Sequence, residues 1–218
     1  MTSPYLAPGF YEAALAKGRH RDIVGGRWDE TGRIQMQILI AEGMAPHHRL
    51  LDIGAGSMRL GCKAVPWLHR GHYWATDASL ALMQRGHEAE LPDPARLSQD
   101  HLIEDSAFAF PGVPPVDFAI AFGVFTHLPH DNLARALNSL RDRQPTLRAA
   151  LFTVFLATDL ARSCRQPDGV VTHPDRPPYH LSASDVAATA RSAGWQLTRR
   201  KVVLPRGQVL FVGSPGVM

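Results

Sequence analysis

The run Leu50-Leu51-Asp52-Ile53-Gly54-Ala55-Gly56-Ser57 leaves few folds open to this chain. A short apolar strand passes into two glycines separated by one alanine, and helix-compatible sequence follows. Glycine at both positions lets a ligand approach bare backbone, the arrangement found at the switch point of an open α/β sheet. Asp77 lies 23 residues beyond Gly54, at the end of the next strand-like segment, 71–77. A carboxylate there can accept hydrogen bonds from both ribose hydroxyls, so turn and acid together imply an adenosine-containing cofactor. A lone Gly-x-Gly would serve plain backbone geometry equally well. A dinucleotide fingerprint, G-x-G-x-x-G, needs glycine or another small residue where this chain has Arg59, which weakens a pyrophosphate reading.

The remaining punctuation alternates as such a sheet requires. Residues 1–26 read as an arm around one short helix near 11–17, and Ile34, Ile38 and Ala41 give a helix over 34–41 that stops at Gly43. Strands are expected at 49–53, 71–77, 102–105, 116–124 and 149–157. Helices are expected after the glycine turn, at 79–91 and at 131–141, where Leu133, Leu137 and Leu140 form a stripe. Residues 158–179 hold Pro167, Pro174, Pro177 and Pro178 and read as one long irregular segment, which in a compact domain is functional or disordered. Ser182 with Asp185 resembles a capping-box start, Gly194 a helix stop, and 196–203 with 208–212 a closing antiparallel hairpin.

A length of 218 residues with 45% hydrophobic side chains suits one domain. No apolar run approaches the roughly 18–20 residues needed to span a bilayer, and Met1-Thr2-Ser3-Pro4 lacks the basic, apolar start of a secretion signal. A cytoplasmic protein without a membrane partner is expected. Cys62 and Cys164 have no partner at metal-ligand spacing and read as inert thiols. The net charge of +3 comes from 23 basic and 20 acidic residues interleaved without a basic cluster, so nucleic acid is not an expected partner.

The Gly54-Ala55-Gly56 turn, Asp77, the run from Asp117 through Phe122-Gly123-Val124-Phe125-Thr126-His127-Leu128-Pro129, and the terminal hairpin resemble the class I S-adenosylmethionine-dependent methyltransferases over residues 34–214. Within that superfamily the chain is similar to a small bacterial subgroup with a Gly-x-Gly-Ser-x-Arg turn. The subgroup also has a Gly-Gly-x-Trp segment, here Gly25-Gly26-Arg27-Trp28, and a Pro-Arg-Gly-Gln turn, here Pro205-Arg206-Gly207-Gln208. Met58 stands where the commoner pattern has a third glycine. The resemblance implies a Rossmann-like α/β sandwich with a mostly parallel seven-stranded sheet and a C-terminal antiparallel hairpin. It implies an arm or lid over 1–33 and a methyltransferase domain over 34–218. It assigns Asp52, Gly54, Ala55 and Gly56 to the methionine end of S-adenosylmethionine, Asp77 with Ala78 to the ribose, Asp105 with Ser106 to the adenine, and Phe122-Gly123 to the backbone beside the sulfonium.

Methyl transfer from a sulfonium is an in-line displacement, and an unactivated hydroxyl needs a base or a metal for its proton. His127, just past the fourth strand, is the candidate base; its alternative is a capping histidine before Pro129. Asp159, His173, Tyr179 and His180 of the long segment are candidates for acceptor contact, and a divalent metal is not favoured. Arg59 is expected in a structural ion pair, and Trp28 and Arg33 either close over the cofactor or pack on the core. The expected function is O-methylation of a small polar acceptor, a sugar or polyol. Alternatives are an N- or phenolic O-methyltransferase, a nicotinamide oxidoreductase, or a non-catalytic cofactor-binding protein. A homodimer stays open.

Overall fold

A computed structural model describes residues 9–216; residues 1–8 of the expected arm and 217–218 of the expected domain lie outside the described residues. The chain runs α1 (Phe10–Ala16), α2 (Trp28–Ala41), β1 (Leu50–Ile53), α3 (Gly61–Trp67), β2 (Tyr73–Asp77), α4 (Leu80–Glu90), β3 (Leu102–Glu104) and β4 (Phe118–Ala121). It continues with α5 (His130–Arg143), β5 (Ala149–Leu156), the short strands β6 (Cys164–Arg165), β7 (Val171–Thr172) and β8 (His180–Leu181), then α6 (Ala183–Ser192), β9 (Trp195–Arg199) and β10 (Val209–Pro215). The sheet order is β3-β2-β1-β4-β5-β10-β9. β1 to β5 are parallel, while β10 lies antiparallel between β5 and β9. This is the expected Rossmann-like sandwich, with β8 added as a short parallel partner to the end of β5.

The alternation of side chains along each strand builds two cores. Leu50 of β1, Phe118 and Ile120 of β4 and Leu210 of β10 enter one core with Leu39 of α2, Ala64 of α3 and Met83 of α4. Leu51, Ile53, Ala119, Phe152 and Phe211 enter the other with Leu133 and Leu137 of α5 and Val186 of α6. Asp52 falls on the α2–α4 side by the same alternation, so a carboxyl is buried next to an apolar core. Connections from β1 lead outward to β2 and β3, and the chain then crosses back to β4. The carboxyl ends of β1 and β4 therefore face a crevice.

Several boundaries differ from expectation for identifiable reasons. α2 begins at Trp28 and not at 34, because its first turns carry Asp29, Glu30 and Thr31, which support a helix start without apolar periodicity. Position 33 therefore lies inside a helix. β4 ends at Ala121, since Gly123 turns at φ 76° and Thr126 Oγ1 donates to its carbonyl at 2.7 Å. β9 ends at Arg199, short of 203. The long segment is ordered into the antiparallel pair β6–β7 and the start of β8, strands of two residues each that leave no readable period. α6 starts as expected, with Ser182 Oγ accepting the Asp185 N–H at 2.9 Å.

Met58 adopts φ 66° in the place of a third glycine and is fully buried. The close packing is supplied from the facing helix instead. A Cβ on Gly86 of α4 would lie 2.3 Å from Ser57 O and 2.8 Å from Met58 Cγ. Gly86→Ala is expected to destabilise the fold by about 1–3 kcal/mol through overpacking against backbone, read as a lower urea midpoint at unchanged m.

Candidate active site

At the carboxyl ends of β1, β2, β4 and β5 the sheet opens into a cavity of about 500 Å3, a size typical of small-molecule sites, roughly 300–1,000 Å3. Its floor is the turn after β1. Gly54 and Gly56 have φ of 70° and 55°, and a Cβ would meet Val124 Cγ2 at 2.4 Å or Val24 Cγ1 at 2.6 Å. Conformation and space both demand glycine there. Asp77 closes β2 and is buried; its Oδ2 accepts the Gly56 N–H at 2.9 Å and its Oδ1 the Ser79 N–H at 3.0 Å. Burial pushes its pKa up to about 6, against the pull of those backbone donors. Asp52 Oδ2 accepts the Tyr73 hydroxyl at 2.6 Å, and burial pushes its pKa up to about 7 against the opposing pulls of Tyr73 and the Arg59 charge.

Asp105 organises the loop after β3, with Oδ1 accepting the Ala107 N–H at 2.9 Å and Oδ2 the Phe110 N–H at 2.7 Å. Its carboxylate holds backbone, and both Asp105 and Ser106 line the cavity. On the other flank Gly123 N–H donates to Thr153 Oγ1 at 2.8 Å, and Thr153 Oγ1 donates to Gln208 Oε1 at 2.6 Å. His127 sits in the turn after β4. Desolvation first, and the Arg206 charge second, push its pKa down to about 4, so its imidazole is neutral at pH 7.

Asp52, Gly54, Ala55, Gly56, Asp77, Ala78, Asp105, Ser106, Phe122, Gly123 and His127 all line this one cavity. The four candidates from the long segment do not. Asp159 is exposed and accepts the Ala161 N–H at 2.8 Å. His173 Nδ1 pairs with Ser163 Oγ at 2.7 Å, and Tyr179 forms a bridge with His173. His180 is buried, with Nδ1 2.9 Å from Thr172 Oγ1. The β6–β7 pair, the pairing of β8 with β5 and the local turn at Asp159 engage these polar groups away from the cavity, and the segment reaches it through Val170 and Pro178 instead.

Trp28 and Arg33 also stay outside the lining. Trp28 lies under the Arg21 guanidinium at 5.1 Å, and Arg33 is exposed. The N-terminal segment contributes Val24, Gly25, Arg27, Thr31 and Gln35 in their place. Arg59, expected in an ion pair, lines the cavity and donates from Nη1 to Val24 O at 2.6 Å and Gly26 O at 3.4 Å. Arg27, Arg206 and Gln208 were not foreseen as site residues, though both of their motifs are conspicuous in the sequence. Those motifs meet in space: Arg206 Nη2 donates to Gly25 O at 2.8 Å, and Asp168 accepts the Arg206 N–H at 2.7 Å and Arg27 Nη2 at 3.4 Å.

The donor set fits S-adenosylmethionine. A glycine floor without Cβ atoms, a buried carboxylate at the end of β2 and a cavity continuing past β4 suit a methionyl tail, a ribose and a sulfonium in that order. Among the described residues no group of three or more His, Cys, Asp or Glu is placed to hold a metal ion, and no helix is long and apolar enough to cross a membrane.

No family model and no curated protein matches the sequence. Solved structures do match the fold. Magnesium protoporphyrin IX methyltransferase from Synechocystis PCC 6803 with bound SAM aligns at a TM-score of 0.64 and 14% identity, over 98% of this chain and 94% of that one. The 1,6-didemethyltoxoflavin-N1-methyltransferase of Burkholderia thailandensis aligns at 0.61 and 20% identity, over 100% and 94%. A TehB-like SAM-dependent methyltransferase from Corynebacterium glutamicum aligns at 0.62 and 15% identity, over 96% and 100%. The fold is that of the class I SAM-dependent methyltransferases.

Folded Asp52 holds its proton more tightly than an unfolded aspartate, whose pKa is near 4. The stabilisation this gives is complete below about pH 4 and is lost as pH rises through about 7. Urea unfolding of the native protein, referenced at each pH to Asp52→Asn, is expected to show stability falling across that window. A rise would contradict the buried, proton-retaining carboxyl.

Proposed function

We propose that this chain is an S-adenosylmethionine-dependent methyltransferase that methylates a hydroxyl oxygen of a small acceptor. The convergence of Gly54, Gly56, Asp77 and His127 on one cavity carries the reading. Asp77 binds the ribose, the turn after β1 with Asp52 faces the methionyl tail, Ser106 faces the adenine, and Phe122-Gly123 lie beside the sulfonium. The bound cofactor supplies a methyl group on a positively charged sulfur leaving group. The protein then has to align the acceptor oxygen with the carbon–sulfur bond and take its proton.

His127 is suited to the second task because it lines the cavity and is held neutral. As the new carbon–oxygen bond forms and the carbon–sulfur bond breaks, the hydroxyl proton passes to a ring nitrogen of His127. Gln208 and Arg206 offer polar contacts for sugar or polyol hydroxyls, whereas Phe155, Val170 and Pro178 form an apolar wall that also admits a phenol or amine acceptor. Arg59 stands where a dinucleotide fingerprint needs a small residue and is tied to the Val24 carbonyl, which disfavours a nicotinamide reading.

Asp77→Asn is expected to weaken S-adenosylhomocysteine binding about tenfold or more by calorimetry. His127→Ala should leave that affinity unchanged and lower turnover on a hydroxyl acceptor by about 10²–10⁴-fold. Mass spectrometry of sugars, polyols, phenols and amines incubated with the protein and S-adenosylmethionine, with and without chelator, identifies the acceptor by a gain of one methylene. Undiminished turnover in His127→Ala would remove the base assignment, and tighter binding of NAD(P) than of S-adenosylhomocysteine would remove the methyltransferase reading.

A further inference from the structure

The carboxylates lining the cavity are unevenly placed. Asp52, Asp77 and Asp105 stand at or just beyond the ends of β1, β2 and β3, with the Arg59 charge acting on Asp52, and Asp22 lines the cavity from the N-terminal segment. Over β4, β5 and β10 the lining is Phe122, Gly123, Val124, His127, Leu128, Phe155, Pro205, Arg206 and Gln208, and no carboxylate is among them. What polar chemistry this side offers is mostly donors. Thr153 Oγ1 donates to Gln208 Oε1 at 2.6 Å, so the Gln208 amide presents its Nε2 donor on the Gly123 side. Arg206 uses Nη2 on Gly25 O, and its guanidinium carries four further N–H groups.

The position of Arg206 is built. Its backbone has φ 64°, in the left-handed region where an L side chain is strained. Asp168 Oδ2 stabilises that turn by accepting the Arg206 N–H at 2.7 Å. A Cβ on the next residue, Gly207, would fall 2.9 Å from Pro167 Cδ, which sets the turn tightly against the 166–167 loop. Arg27, also at a positive φ of 48°, converges on the same Asp168 from the other end of the chain. The Arg27 guanidinium paired with Asp168 and the Arg206 guanidinium bonded to Gly25 O, beside an amide donor and an uncharged imidazole, leave this half of the cavity with cationic character.

We propose that the acceptor carries an oxyanion, a carboxylate or a phosphate, bound by Arg206 with Arg27 and Gln208 over β4, β5 and β10, with its reacting hydroxyl toward His127. The inference rests on the methyltransferase reading and narrows its substrate class. Guanidinium groups match the paired oxygens of carboxylate and phosphate, so they fix the acceptor's orientation as well as its charge. An anion there also offsets the Arg206 charge felt by His127 and leaves the imidazole a stronger base when acceptor is bound.

The test uses the full chain saturated with S-adenosylhomocysteine, whose binding is established first by calorimetry. Thermal unfolding is then followed in inorganic phosphate, benzoate or chloride at equal ionic strength. Phosphate or benzoate should raise the midpoint by about 2–4 °C over chloride, and the anion that does so separates a phosphorylated acceptor from a carboxylate one. Arg206→Gln should abolish the rise while S-adenosylhomocysteine affinity is retained, and Arg206→Lys should keep part of it. In the turnover assay, glucuronate and glucose 6-phosphate are compared with glucose, and 4-hydroxybenzoate with phenol. The anionic member of a methylated pair should be favoured, with KM raised about tenfold or more and kcat little changed in Arg206→Gln. If cofactor product binds but neither anion exceeds chloride, or the neutral member is favoured, the oxyanion proposal falls and the methyltransferase reading stands. If S-adenosylhomocysteine does not bind, both fall.

Discussion

The hydrogen bond from the Gly56 N–H to Asp77 Oδ2, 2.9 Å long and buried, joins the turn after β1 to the end of β2. Everything around the cavity is placed relative to that junction. A hydrogen bond to a buried carboxylate contributes about 1.5–3 kcal/mol, and losing the acceptor would leave a buried backbone donor unsatisfied. The same turn receives the N-terminal segment: Val24 fills the space where a Gly56 side chain would stand, and Ser57 Oγ donates to His20 O at 2.8 Å. Glu90 of α4 anchors that segment further through His20 and Arg21. The wall over the cavity and the floor beneath it thus share one set of contacts.

Met58 and Gly86 show how the fold tolerates a departure from the usual glycine pattern. What the geometry requires is one missing Cβ between the turn and the helix that packs on it, and either partner can supply it. Here α4 supplies it, and the turn keeps a large buried side chain that fills the space near Gly61 and Tyr73. A pattern match confined to residues 54–58 sees only half of that exchange.

The sheet and the floor of the cavity were legible because each part depends on short-range sequence. Strand character runs directly into the turn glycines in 50–57 and directly into the acid in 71–77, and the two segments together were enough to place Asp52, Gly54, Gly56 and Asp77 at one crevice. Element ends were less legible where polar residues start a helix, as at Asp29 and Glu30, or where two-residue strands such as β6 and β7 carry no period. Asp159, His173, Tyr179 and His180 looked functional because polar residues in a long loop usually do. Their hydrogen bonds instead stitch that loop to itself and to β5, a partnership only tertiary structure displays.

The half of the cavity beside Arg206 illustrates the same limit more sharply, because its wall is assembled from segments far apart in the chain. The Arg206 guanidinium donates directly to Gly25 O, 181 residues away in sequence, while Asp168 links the Arg27 guanidinium to the Arg206 backbone N–H. Each motif alone looks like a turn. The positive φ at Arg27 and Arg206 accompanies that pairing, with both side chains partly exposed at the cavity mouth. The half of the cavity over β1 and β2 needs no such device; its backbone donors and carboxylates are fixed by the sheet. The placement of Arg206 at the cavity is therefore set from outside it, through its backbone by Asp168 and through its guanidinium by the Gly25 carbonyl.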